Sequence, residues 1–479
     1  MTIRFLKPWN GYQPDQVVSG LTNEAALIAG GLASADLDGG NDGRIYDAKF
    51  ATDASGNVTG LVGPDGHTSY LTRHKPIGLG GRFRLAASNE RGSSGTYHTT
   101  FRAAGDFVAV QPIINVTRAP TDATYTSDDV YDQIAVAPTA AVLTGGYPDA
   151  SGGAAAWTAS ANMTFTRQTG ASTSTPIPVL GNMIYCSSIA RADGGPGRLL
   201  MARAYSTGSG HASAATTRMP TYYDEQTSLA NAQRWDDATN GFPLSGHGQY
   251  YYRSGNYAST SQDTFGSGAT RWQHTCFAGM KFHYTKPCTT VLGVGDSIIG
   301  ADYDETGVPI RASYLWRAVY ALQTDGHMID EVNLGGSGYR WDQFGPWMQR
   351  IVPVFLPEIV LLPIWTPNGT ASGVGTGNTQ ADADKHWAQA MYYREWALAN
   401  GVKEVILVTP APKSGSGTVI AAARAYAMDS GLPVFDLLLV AGDSETAWKS
   451  GYSTDGTHPN AAGNAAISNA LKAVLRSYL

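Results

Sequence analysis

A serine at position 297 stands in Gly295-Asp296-Ser297, just past the apolar run Thr290-Val-Leu-Gly-Val294. Near the other end of the chain, Asp455-Gly-Thr-His458 sets a carboxylate and an imidazole three residues apart. A serine hydroxyl is a weak nucleophile at neutral pH, so it needs a base within hydrogen-bond reach, and the base needs an acid to hold its tautomer. These residue types make Ser297, His458 and Asp455 candidates for the nucleophile, base and orienting acid of an acyl transfer. A lone loop histidine is more often a surface residue; the spacing from Asp455 is what singles out His458. A second Gly442-Asp443-Ser444 runs into Glu-Thr-Ala-Trp, which suits the N-cap of a short helix, so Ser444 is read as structural.

From Thr289 onward, apolar runs alternate with helical patterns, the signature of a parallel sheet covered on both faces. Runs at Thr290–Gly295, Ile329–Leu334, Glu358–Ile364, Glu404–Thr409 and Val434–Leu439 predict five strands. Leu315, Val319 and Leu322 predict one helix; Trp387, Met391 and Leu398, stopped by Gly401, predict a second. Val419–Met428 predicts a third, and the stripe Ile467, Leu471, Val474 and Leu475 the last. The fold class is therefore α/β, a flavodoxin-like three-layer α/β/α domain with a five-stranded parallel sheet whose ligands sit at the carboxyl ends of the strands. Ser297 follows the first strand and the Asp455–His458 pair follows the last, so both fall on that edge.

Together, Gly295-Asp-Ser297 and Asp455-x-x-His458 resemble the first and last blocks of the GDSL/SGNH hydrolases, over residues 289–479. The resemblance implies a serine esterase acting on carboxylic esters with no metal and no organic cofactor. It also implies an oxyanion hole built from the Ser297 N–H, a glycine N–H and an asparagine side chain. Asn333-Leu-Gly-Gly-Ser-Gly338 is similar to the glycine block and points to Gly338. The asparagine block usually reads Gly-x-Asn-Asp; Trp365-Thr-Pro-Asn368-Gly departs from it, with Asn368 the nearest match. Gly373-Val-Gly-Thr-Gly377 is not read as a phosphate loop, because no Lys-Ser or Lys-Thr follows and the next helix opens on acidic residues. It is expected to be a flexible loop bordering the site.

The rest of the chain divides by pattern into a small N-terminal attachment module, 1–75, and a β-sandwich domain, 76–288. In the first, Asn23 can cap a short helix over 24–29, and segments 48–52 and 58–62 flank a hairpin loop. Asp36–Gly43 lacks the sixth-position glycine and distal glutamate of a calcium loop and reads as a linker. In the second, strands are expected at Phe107–Val116, 134–136, 163–165, 199–203 and 277–284. Tyr222, Tyr223, Trp235, Tyr250, Tyr251, Tyr252 and Tyr257 crowd one stretch, either as core and loop anchors or as a sugar-stacking surface. His211, His247, His274 and His283 lack metal-ligand spacing and read as structural. Cys186, Cys276 and Cys288 are expected as free thiols, with a Cys276–Cys288 bridge as the alternative.

A net charge of −6 with 15% charged residues gives no electrostatic footprint for nucleic acid. No apolar run approaches the ~20 residues of a membrane span, and Met1–Asn10 lacks the apolar core of a signal peptide. The opening Arg4-Phe-Leu-Lys-Pro-Trp9-Asn-Gly-Tyr12 resembles N-terminal segments of bacteriophage tail and virion proteins. That resemblance implies a virion component assembled in the host cytoplasm, attached to other tail or baseplate proteins, and trimeric. Joined to the hydrolase resemblance, it implies removal of O-acetyl groups from an acylated bacterial surface glycan. Two alternatives stand beside it: a receptor-binding virion protein that holds glycan without turnover, and a bacterial carbohydrate esterase or lipase.

Overall fold

The computed structural model describes residues 95–116, 119–121, 129–140, 157–171, 177–192, 194–206, 279–300, 313–336 and 338–479, and elsewhere the backbone of short strands. The chain forms two compact units, residues 1–71 and 72–479. In the first, Thr2–Phe5 lies between antiparallel partners Val17–Ser19 and Ala33–Ala35. Lys49–Thr52 pairs with Val58–Val62, the expected hairpin, and Thr68–Ser69 adds a third strand. The expected helix over 24–29 and the acidic stretch 36–43 lie outside the described residues.

The second unit opens with a β-sandwich. Its strands are β1 (Gly95–Ala103), β2 (Phe107–Val116), β3 (Asp129–Thr139), β4 (Thr158–Phe165), β5 (Ile177–Leu180), β6 (Ile184–Tyr185), β7 (Arg198–Ser206), β8 (Tyr250–Ser254), β9 (Thr270–Arg271) and β10 (Gly279–Tyr284). One antiparallel sheet runs β4-β3-β7-β1-β8-β9; in the other, β2 pairs with β5 and β6 along one edge and with β10 along the other. The inward residues alternate as a half-buried strand requires, and Phe101, Ile134 and Leu200 of one sheet share a core with Val110, Ile114 and Phe282 of the other. His283 is buried and bonded to Gln111 Oε1 at 3.0 Å; burial, with the charge of Lys281, brings its pKa down to about 4. Cys186 and Cys288 are both buried, and burial pushes the Cys186 thiol up to about 12. Cys276, the side chains of the tyrosine-rich stretch and those of His211, His247 and His274 lie outside the described residues.

A parallel sheet follows, built from β11 (Thr289–Gly293), β12 (Ile329–Asn333), β13 (Ile359–Pro363), β14 (Glu404–Val408) and β15 (Val434–Phe435), in the order β12-β11-β13-β14-β15. The helices are α1 (Ser297–Gly300), α2 (Tyr314–Thr324), α3 (Trp341–Phe355), α4 (Gln380–Ala399), α5 (Gly417–Asp429), α6 (Leu437–Ala441) and α7 (Ala461–Arg476). Val291, Leu361 and Ile406 face α2, α6 and α7 through Leu315, Leu437 and Leu471. The alternate residues Leu292, Val360 and Leu407 face α3, α4 and α5 through Met348, Ala390 and Ile420. These are the expected three layers, with the strand order reversing beside β11. Ile113 of β2 and Leu180 of β5 pack into the core around α3, so sandwich and α/β layers share apolar contacts.

Three expectations need correction. The fifth strand ends at Phe435, because the Asp436 side chain accepts the Leu439 N–H and starts a helix where a strand over Val434–Leu439 was expected. Ser444 caps no helix: Gly442–Ser444 pairs antiparallel with Ala447–Trp448, and Ser444 Oγ accepts the Thr446 N–H in a tight turn. The Gly373–Gly377 loop is tied down, since Thr370 N–H donates to Val374 O and buried His386 Nε2 lies 2.8 Å from Gly375 O. Among the described residues no helix is long and apolar enough to cross a membrane.

Candidate active site

The chain leaves β11 with Val294 N–H still donating to Leu361 O of β13, then turns at Gly295, whose φ of +148° lies in a region side chains rarely adopt. Asp296 is buried, and its carboxylate accepts the Ile298 N–H at 2.9 Å and the Thr366 hydroxyl at 2.5 Å. These bonds fix the start of α1 and with it Ser297. Burial raises the Asp296 pKa, opposed by those same two bonds and by the charge of His458.

The other half of the site comes from the loop before α7. Asp455 Oδ1 accepts the backbone N–H groups of Thr457 and His458, each at 2.8 Å, which folds the loop so that the imidazole returns to the carboxylate. His458 Nδ1 lies 2.6 Å from Asp455 Oδ2, and Nε2 lies 3.0 Å from Ser297 Oγ. The carboxylate only accepts, so Nδ1 carries the proton and Nε2 is left to accept from the serine hydroxyl. Burial alone would raise the Asp455 carboxyl, but the bonds from the His458 ring and the two backbone N–H groups outweigh it and bring the pKa down to about 2. Asn460 anchors the far end of the loop, capping α7 through Gly463 N–H and donating to Gly451 O.

Ser297, Asp455 and His458 are thus brought into one hydrogen-bonded line at the carboxyl edge of the sheet. Gly338 sits after β12 on this edge at a φ of +68°, exposed. Neither its N–H nor that of Ser297 is given to another group among the described residues. Asn368 differs. Its Nδ2 donates to Tyr339 O at 3.1 Å and to Thr366 Oγ1 at 3.2 Å, which uses both amide protons. In this conformation Asn368 braces the loop after β13 and its side chain offers no spare proton to an oxyanion.

Two contributors were not visible in the sequence reading. Thr366 accepts from Asn368 while donating to Asp296, linking the expected asparagine position to the nucleophile turn. Lys413, after β14, donates to Thr457 Oγ1 at 2.6 Å, within the Asp455–His458 loop. A threonine between Trp and Pro and a lysine between Pro and Ser carry no pattern that marks them; only the loop geometry does. Among the described residues no group of three His, Cys, Asp or Glu side chains is arranged to hold a metal ion.

No family model matches the chain, and no curated protein matches it. Solved structures do. A GDSL-like lipase from Bacteroides thetaiotaomicron VPI-5482 is 18% identical with a TM-score of 0.31, over 40% of this chain and 89% of that one. A lipase/acylhydrolase from Enterococcus faecalis is 16% identical with a TM-score of 0.29, over 40% and 97%. An acetylxylan esterase from Geobacillus stearothermophilus, solved as a catalytic mutant, is 17% identical with a TM-score of 0.29, over 38% and 92%.

Proposed function

We propose that the chain is a serine-dependent carboxylic ester hydrolase. The observation that carries this reading is the line Ser297 Oγ, His458 Nε2, His458 Nδ1, Asp455 Oδ2, with spacings of 3.0 and 2.6 Å at its two hydrogen bonds. His458 takes the proton as Ser297 attacks the ester carbonyl, and the imidazolium forms against an Asp455 carboxylate that is already ionised. The N–H groups of Ser297 and Gly338 stabilise the tetrahedral oxyanion, each worth roughly 3–4 kcal/mol if it matches measured oxyanion donors. His458 then protonates the departing alcohol, and water, deprotonated by the same imidazole, cleaves the acyl-enzyme. With 4-nitrophenyl acetate, Ser297→Ala is expected to lower kcat by about 10³-fold or more. Ser444→Ala is expected to leave it unchanged, and loss of activity only in Ser444→Ala overturns the assignment.

The finer reading is that the esters are short O-acyl groups on a bacterial surface polysaccharide and that the protein is a phage tail or baseplate component; its support is the sequence resemblance of the opening segment. Incubation of wild type and Ser297→Ala with purified envelope fractions tests it: carboxylic acid released by the first and not the second is the expected result. The commitment of both Asn368 protons favours one rival, glycan binding without turnover. Stable retention of acylated glycan with no acid released is the outcome that selects it.

A further inference from the structure

A cavity of about 40 Å³ is lined by Asp296 and Ile298, the chain neighbours of Ser297, and by Thr457, the neighbour of His458. Tyr314, Trp365 and Lys413 also line it, and the rest of its wall is mainly aliphatic residues and prolines. At roughly 10–15 Å³ of such space per water, it holds about three or four water-sized bodies. That admits a few heavy atoms beyond an ester carbonyl and excludes a fatty chain. A sugar-sized alcohol exceeds that space, so of the two halves of the ester the short acyl group is the one it suits.

The wall is not uniformly apolar. Tyr314 is only 2% exposed, and among the described residues its hydroxyl has no hydrogen-bond partner. Lys413 gives one ammonium proton to Thr457 Oγ1, and among the described residues no carboxylate pairs with it. The space is partly open and Lys413 half-buried, so the cost of an unmatched group falls mainly on the buried hydroxyl, and an acceptor entering with the ligand would serve both. The carboxylate in the wall, Asp296, has both oxygens covered, by Ile298 N–H and the Thr366 hydroxyl, and burial disfavours its charge. It therefore opposes an entering anion less than an open carboxylate would.

We propose that this cavity receives the acyl group and that Lys413, with the Tyr314 hydroxyl, selects one that ends in a carboxylate, so that the substrate is the half-ester of a short dicarboxylic acid. The proposal rests on the Ser297 esterase reading and names its acyl specificity. The chemistry balances with water alone: the Ser297 Oγ–acyl bond forms as the alcohol leaves with a proton from His458, and water then breaks that bond to release the free dicarboxylate. An acetyl group, with nothing beyond its methyl, leaves Lys413 unmatched.

The test compares 4-nitrophenyl hemisuccinate with 4-nitrophenyl butyrate, four-carbon acyl groups that differ in the charged end, after subtracting uncatalysed hydrolysis. The readout is the ratio of their kcat/KM values within each protein, so that any general loss through folding or the Thr457 contact cancels. Wild type is expected to favour the hemisuccinate by about tenfold or more, the range of one charge-assisted hydrogen bond. Lys413→Met is expected to abolish the preference, and Lys413→Glu to reverse it. A wild-type preference for butyrate, or a ratio unmoved in both variants, overturns the proposal while leaving the esterase reading intact. Absence of any Ser297-dependent turnover of either ester overturns both.

Discussion

Two aspartates act on one imidazole, Asp455 by contact and Asp296 through charge alone, and they are tuned in opposite directions. Asp296 is enclosed and pushed up, whereas the Asp455 side chain, 47% exposed, is held down to about 2 by three N–H donors. The acid that orients His458 is therefore ionised down to about pH 2. Because the folded pKa of Asp455 lies below its ordinary value near 3.9, its contribution to stability is present above that pH and is lost as pH falls towards about 2. Asp455→Asn keeps the shape but removes the acceptor that sets the tautomer, and it is expected to lower kcat by up to about 10⁴-fold with little change in KM. Thr366→Val acts on the other aspartate. It strips a buried carboxylate oxygen of its hydroxyl donor and Asn368 of an acceptor, so a loss of about 1–3 kcal/mol is expected in denaturant unfolding, with a lower kcat.

The four-residue helix α1 holds the nucleophile through its neighbours. A Cβ on Gly335, in the turn after β12, would stand 2.4 Å from Gly300 N and 2.5 Å from Gly300 Cα, which is backbone and cannot swing aside. Gly335→Ala is therefore expected to move α1, costing about 1–3 kcal/mol in stability and at least tenfold in kcat; unchanged kinetics would show that α1 is not fixed from this side. This dependence of position on packing explains what could be read in advance. The strands of the sheet and four of its long helices were legible, because period, length and residue type specify them locally; the meeting of Ser297 with His458, 161 residues apart, was legible only through the strand order that brings both loops to one edge. The helix α3 was not, although Trp341, Phe344, Met348, Ile351 and Phe355 give it an apolar stripe, because Pro346 and Pro353 are the usual marks of a break. Strand β1 was missed because its Thr-rich stretch lacks an apolar run. The bonding of Asn368 could not be read at all, since both its acceptors are set by where other loops land.

At the scale of the second unit, the two folds are joined by a buried polar contact as well as by apolar packing. Tyr284, the last residue of β10, is fully buried; its hydroxyl donates to Asp330 Oδ2 of β12 at 2.6 Å and accepts the Ala104 N–H, just past β1, at 3.0 Å. One hydroxyl thus satisfies a group from the sandwich and a group from the parallel sheet, in a place with no water access. Tyr284→Phe keeps the ring in its stack on Phe282 but deprives both groups of that partner at once. The expected loss is about 1–3 kcal/mol, and it is shared: amide exchange should accelerate by a similar factor in β10 of the sandwich and β12 of the sheet, since opening either strand breaks the same contact. Acceleration confined to the sandwich would mean that the two folds open independently and that the active site draws no support from the β domain. Acceleration in both, with a parallel loss of esterase activity on heating, would make the sandwich part of what keeps Ser297 and His458 in register.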